Sequence, residues 1–174
     1  LRFAWNAAVA ADPFHPDGVY FGSQFLHHST DRGNSWVPRS PDLTTNDPEK
    51  QDQANSGGLT IDATQAENHC TVLCIAPNPQ REGEIWVGTD DGRIQHTTDG
   101  GTTWTDHAET IKRFPVGAWI PQIQVSPHDP DEVYVVVNDY RRNNWQPYLY
   151  RTMDGGTSWV RLVLQTGEVT GHAL

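Results

Sequence analysis

Three stretches of the chain carry uninterrupted apolar residues of β-forming type: Val19-Tyr20-Phe21, Ile85-Trp86-Val87 and Val133-Tyr134-Val135-Val136-Val137. Each follows a turn rich in Pro, Asp, Asn or Gly. The segment 13–20 aligns without a gap onto 127–134, and 77–86 is a looser copy. Such runs after such punctuation predict strands. The runs are continuous rather than alternating, so both faces of each strand are expected to be covered. The pattern places a strand before each run, over 6–10, 71–75 and 122–125, and another after it, over 24–28, 93–96 and 148–151.

The third strand of each unit leads into one repeated phrase. It reads Ser29-Thr30-Asp31-Arg32-Gly33-Asn34-Ser35-Trp36, then Thr97-Thr98-Asp99-Gly100-Gly101-Thr102-Thr103-Trp104, then Thr152-Met153-Asp154-Gly155-Gly156-Thr157-Ser158-Trp159. Gly33, Gly101 and Gly156 can take the positive φ of a tight hairpin at little steric cost. Asp31, Asp99 and Asp154 sit two residues earlier, where a carboxylate accepts from amides inside the turn. Trp36, Trp104 and Trp159 bury a large ring that locks the turn against its sheet as a fourth strand leaves. The aspartates are therefore read as structural, neither catalytic acids nor metal ligands. Four antiparallel strands per unit, repeated, predict an all-β fold: a partial β-propeller of about three four-stranded blades with Asp-box hairpins. The blades are expected near 6–40, 70–108 and 119–165, with a long crossing over 41–69.

The pattern Ser/Thr-x-Asp-x-Gly-x-Ser/Thr-Trp resembles the Asp-box (BNR) repeat of sialidase-like, xyloglucanase-like and sortilin-type propellers. Three further segments, 40–48, 66–70 and 86–93, resemble large exported bacterial proteins with sortilin-like Asp-box propellers, often labelled glycosyl hydrolase by similarity. The resemblance covers nearly the whole chain. It implies export, and a ligand face at the end of the sheets opposite the Asp boxes.

Length adds a constraint. Propellers need about four to eight blades to close a ring, so a chain of 174 residues with three Asp boxes is expected to belong to a larger propeller or to be completed by assembly. Leu1 as first residue and Met153 as sole methionine agree with a piece of a longer polypeptide. A formal charge of −10 opposes binding to nucleic acid or anionic lipid, and no apolar run approaches a membrane span. Cys70 and Cys74 flank Thr-Val-Leu, which if extended separates their Cα atoms by about 13 Å, too far for a disulfide. Cysteine and histidine spacing fits no zinc site, and no cofactor is expected.

Candidate binding residues follow from the end of the sheets on which they fall. The crossing 41–69 is long enough to be functional or unstructured. Its Asp42, Asp47, Glu49 and Asp52 lack the ordered spacing of a calcium loop. Glu67, beside Asn68 and His69, is either a ligand group or a hydrogen-bonding residue at the core edge. The segment 138–146 brings Tyr140, Arg141, Arg142 and Trp145 after Asp139, able to stack on a sugar or grip a carboxylate, or to pack among themselves. The crossing 106–119 adds His107, Lys112, Arg113 and Trp119, and Asp90 precedes the Asp91-Gly92 turn. Glycoside hydrolysis commonly needs two convergent carboxyl groups, and Asp90, Asp139 and Glu67 are the possible members. No residue is assigned as catalytic. The expected function is a non-catalytic scaffold that recognises protein or glycan partners, or the remaining blades, through its loop face. A sialidase- or xyloglucanase-like hydrolase fragment and a subunit or assembly factor of a larger complex are the alternatives.

Overall fold

The apolar runs form the second strands of three antiparallel meanders, seen in a computed structural model that describes residues 1–52 and 68–163. The first sheet comprises β1 (Val9–Ala11), β2 (Val19–Gly22), β3 (Leu26–Ser29) and β4 (Val37–Pro38). The short helix α1 (Pro48–Gln51) follows, capped by the Asp47 carboxylate, which accepts from the Glu49 amide. The second sheet comprises β5 (Val72–Pro77), β6 (Ile85–Thr89), β7 (Ile94–Thr97) and β8 (Thr105–Asp106). The third comprises β9 (Trp119–Val125), β10 (Val133–Asp139), β11 (Asn144–Thr152) and β12 (Val160–Arg161). Glu67 and most of the long crossing lie outside the described residues. The fourth strands begin after the tryptophans and hold two residues each.

The three repeated phrases join third to fourth strands in one geometry. Asp99 Oδ1 accepts from the Thr103 amide at 2.9 Å, and Oδ2 accepts from the Thr103 hydroxyl at 2.7 Å. The Gly101 amide donates to Thr97 Oγ1, and Trp104 Nε1 donates to the Gly101 carbonyl. The same bonds recur around Asp31 and Asp154. Gly33, Gly101 and Gly156 have φ of 86°, 98° and 92°. These donors hold the Asp31 and Asp99 carboxyls down to about 2, with the Ser35 hydroxyl and the Thr103 amide respectively as the largest causes. The hydroxyls of Ser35, Thr103 and Ser158 thus clamp the carboxylates as well as their amides.

Two apolar clusters join the sheets. Ala8, Ala10, Tyr20 and Leu26 of the first pack on Val72, Ile75, Ile85 and Val87 of the second. Cys74, Ala76, Trp86 and Ile94 of the second pack on Ile123, Val133, Val135 and Tyr150 of the third. Alternate residues of β6 thus face opposite neighbours, and all five are buried, as a continuous apolar run implies. Each fully buried aliphatic or aromatic side chain there contributes about 1.5–3 kcal/mol. In β2 and β10 burial alternates instead. Among the described residues one face of each has no sheet against it, since both lie in the outer two of the three sheets.

Each sheet therefore has a leading face, turned to the preceding sheet, and a trailing face, turned to the next. On the trailing faces an aromatic of the second strand meets a cross-strand histidine or arginine. Tyr20 stacks on His28 at 4.4 Å and Trp86 on His96 at 3.8 Å, and Arg151 lies over Tyr134 at 5.7 Å. A carboxylate lies against each of these side chains: Asp12 on His28, Glu84 on His96 and Glu132 on Arg151. Among the described residues no helix is long and apolar enough to cross a membrane.

Candidate binding face

Opposite the Asp turns, five segments converge: the β2–β3 and β6–β7 turns, the β10–β11 loop and the two crossings between sheets. Tight backbone approach makes this possible. Gly92 (φ 90°) is so close to Gly117 that a Cβ added to it would lie 2.7 Å from the Gly117 Cα. Gly117 (φ 75°) in turn has Arg142 Nη1 and Lys50 Nζ above it, each 3.6 Å from where its own Cβ would be. Arg142 donates from Nη1 to the Val116 carbonyl at 2.7 Å and from Nε to Asp139 Oδ1 at 2.5 Å.

Asp90, Asp91 and Asp139 on this face are committed to structure, while Glu49 and Glu109 on the two crossings are exposed. Asp90 accepts from the Thr71 amide and hydroxyl, both at 2.8 Å. Asp91 accepts from the Thr89 hydroxyl and from the amide and hydroxyl of Thr45, which ties the long crossing to the second sheet. Asp139 takes Arg142 on one oxygen and the Asn144 amide group on the other. Asp90 and Asp91 are each 2% exposed, so neither offers an oxygen to a substrate in solution. Burial pushes the Asp90 carboxyl up to about 7, opposed by the Thr71 amide and reinforced by the charge on Asp91. Asp91 goes the other way: the hydroxyls of Thr89 and Thr45 outweigh its burial and hold its carboxyl low. His69 lies 3.7 Å from Asp90 and is held below the usual imidazole range by burial, then by the nearby Lys50 charge.

Aromatic and cationic groups are also open at this end. Trp145 is 74% exposed, its indole Nε1 donating to Asn143 Oδ1, and its ring centre lies 6.0 Å from that of Tyr140. The Arg141 guanidinium stacks on the half-buried Trp119 ring at 3.9 Å, a cation–π contact that holds both groups in one orientation. Lys112 and Arg113 are exposed on the adjoining crossing. Of the residues singled out in the sequence, Asp90, Trp119, Asp139, Tyr140, Arg142 and Trp145 all fall at this end. Glu67 lies outside the described residues.

His107 does not belong to this face. It is buried between the second and third sheets near the Asp turns, where Nδ1 meets the Gly156 carbonyl at 3.1 Å and the ring packs against Trp86. Arg39, at the aligned position in the first unit, stays exposed beside a cleft of about 220 Å³. Of the acids lining that cleft, Asp12 holds His15, Tyr20 and His28, Asp99 holds its own turn, and the exposed Glu82 lies 3.8 Å from His15. Among the described residues no three His, Cys, Asp or Glu side chains are placed to hold a metal ion.

No protein-family profile matches the sequence, and no curated protein matches it. Solved structures do. The chain is similar to an ancestral GH74 enzyme, with a TM-score of 0.61 at 18% identity over 92% of this chain and 18% of that one. It is similar to YCF48 from Cyanidioschyzon merolae, with a TM-score of 0.57 at 15% identity over 91% of this chain and 38% of that one. It is also similar to YCF48 bound to D1 peptide, with a TM-score of 0.52 at 18% identity over 98% and 44% of the two chains. The chain thus spans less than half the length of each. Likeness at such identities establishes the fold: the three sheets are part of a β-propeller.

Proposed function

We propose that this chain is a non-catalytic segment of a larger β-propeller that recognises a protein or glycan partner through the end opposite its Asp turns. One observation carries the reading. At that end the described carboxylates Asp90, Asp91 and Asp139 are bound to structural donors, while Trp145, Tyr140 and the Arg141–Trp119 pair face outward. Exposed aromatics beside arginine supply large, preorganised contact area for a partner. The fold shared with YCF48 bound to D1 peptide supports peptide capture by such a propeller, and with it the related reading of an assembly subunit. Within the same proposal the turns are Asp-box (BNR) repeats of sortilin-like type, and the parent protein is an exported bacterial one. Recovery of the parent protein from the cytosolic fraction of its source would contradict export.

Binding is tested by screening the immobilised chain against peptide and glycan arrays. Trp145→Ala combined with Tyr140→Ala is expected to weaken any captured ligand at least about tenfold, the size expected of a hot spot. Thr102→Ala, among the Asp turns, should leave affinity unchanged. Capture of nothing, or equal loss from both variants, rejects the reading.

Glycoside hydrolysis is the second reading, suggested by the fold shared with a GH74 enzyme, and because Asp90 and Asp91 are buried it needs carboxyl groups from elsewhere in a larger propeller. It requires turnover of xyloglucan or aryl glycosides by the parent protein.

A further inference from the structure

Three cations meet above one glycine at the loop end. Gly117 lies in the crossing between the second and third sheets, and a Cβ there would have Lys50 Nζ and Arg142 Nη1 each 3.6 Å away. Lys50 comes from α1 on the first crossing, and Arg142 from the β10–β11 loop. Its neighbour Arg141 is held over Trp119 at 3.9 Å, with Cζ 5.7 Å from the Tyr140 ring centre. The charges of Lys50 and Arg141 both reach His69. Burial, then Lys50, and also Arg141, hold its imidazole below the usual range against the pull of Asp91. The three positive heads therefore share one notch, framed by segments that precede the second sheet and follow β10.

The acids around this notch are engaged elsewhere. Asp139 gives one oxygen to Arg142 and the other to Asn144. Asp91 accepts from Thr45 and Thr89, and Glu109 lies 3.6 Å from Arg93. Glu49 is exposed on α1 and pairs with neither Lys50 nor Arg141. Among the described residues the Lys50 ammonium and the Arg141 guanidinium have no hydrogen bond and no ion pair. Acids are plentiful in the chain, 22 against 12 basic residues, yet none is placed between these cations. Like charges at such range repel. Their convergence from two separate elements marks a place for an anion brought from outside.

We propose that Lys50 and Arg141, with Arg142 beside them, bind a carboxylate of an acidic glycan of the uronic-acid class. The inference rests on the reading of this end as a binding face and names the class of ligand that the face takes. A guanidinium with its planar fork of N–H donors unbonded matches a carboxylate bidentately, and an ammonium adds a compact charge. The surroundings suit a sugar better than an acidic peptide. Tyr140 and Asn143 are exposed on the same loop as Arg141, and they offer an aromatic face to pyranose C–H groups and an amide to hydroxyls. A peptide is instead anchored by apolar pockets or by an open strand edge.

Calorimetric titration of the natural polypeptide at full length with trimers of galacturonic, glucuronic and mannuronic acid tests this. At least one trimer should bind, and its uncharged methyl ester should bind at least about tenfold more weakly. Lys50→Gln and Arg141→Gln should each weaken binding of the acid by about fivefold or more. Arg39→Gln, an equal loss of charge beside the turn end, should leave it unchanged. Binding should also weaken as salt is raised, since the contact is between exposed charges. Binding of none of the trimers, equal binding of acid and ester, or insensitivity to both substitutions overturns the proposal. Tighter capture of a polyglutamate peptide through Lys50 and Arg141 overturns it too, because the partner would then be a protein. The binding face itself has a separate readout. A neutral glycan or peptide that is lost with Trp145→Ala and Tyr140→Ala but kept in Lys50→Gln would leave that reading standing and reject this one.

Discussion

Gly101→Ala should destabilise the protein by more than about 3 kcal/mol, while Gly33→Ala should cost about 1–2 kcal/mol. The local conformations are nearly the same, with φ of 98° and 86°, so the penalty of placing an L-residue at positive φ is common to both. The surroundings differ. A Cβ at Gly101 would lie 2.0 Å from the Arg39 carbonyl oxygen, which belongs to the backbone and cannot turn aside. At Gly33 the nearest atom is a Trp36 ring carbon at 3.4 Å. Gly156→Ala should fall between them, since its neighbours at 2.6–2.8 Å are side-chain atoms of His107 and Trp86. Urea denaturation of the three variants measures the order. Equal losses would mean that the turns act alone and do not lock one sheet to the next.

Trp86→Ala should cost about 3–5 kcal/mol, the range for emptying a large aromatic site in a packed core. Trp86 is fully buried, stacked on His96, tilted against His107 and edge-on to Trp159 at 6.0 Å. Its removal takes away the partner of all three and opens the interface between the second and third sheets. Trp145→Ala, at 74% exposure, should change stability by no more than about 0.5 kcal/mol. Thermal or chemical denaturation of the pair distinguishes a core indole from a surface one. A loss below about 1 kcal/mol for Trp86→Ala would contradict the packing described above.

The contrast between these two tryptophans also marks how far the sequence could be read. Ile85-Trp86-Val87 is unbroken because its strand lies between two sheets, so the run itself reports burial on both faces. Val133 to Val137 reads the same way in sequence, yet Tyr134 and Val136 are half-buried because their face has no sheet against it among the described residues. A strand's local pattern encodes which faces tolerate burial, not whether a neighbour is there. The Asp phrases were legible because the bonds of the carboxylate, the Ser29 hydroxyl and the indole close within eight residues, from Ser29 to Trp36, while the Arg32 amide reaches outside, to the Asp17 carbonyl. His107 was misplaced at the loop end because its partners, Gly156 and Trp86, are brought in by other sheets. Ala8, Ala10, Cys74 and Ala76 put small residues at matching positions on the faces that receive the next sheet, and this was accessible in principle. Aligning the first strands by their distance from each apolar run exposes it, along with the departure at Gln122 and Gln124.

The loop end was legible by position and not by role. Asp90, Asp139 and Arg142 were expected to be available to a ligand, and the structure engages all three in side-chain bonds. Trp119 serves as a platform for Arg141, a pairing that no spacing in the sequence signals. Tyr140 and Trp145 are exposed at this end.

The account depends on the repeated aspartates acting as clamps for neighbouring amides and hydroxyls. A carboxyl-carbon NMR titration tests this most directly. Asp31 and Asp99 should titrate near 2, Asp154 below the ordinary 3.8, and buried Asp90 near 7. Because the three turn carboxyls are depressed, the stability they supply is complete above their ordinary range and is lost as pH falls through the folded values. Turn carboxyls that titrate near 4, or whose resonances move when Ca²⁺ is added at neutral pH, would contradict the clamp and make the repeats ion or ligand sites.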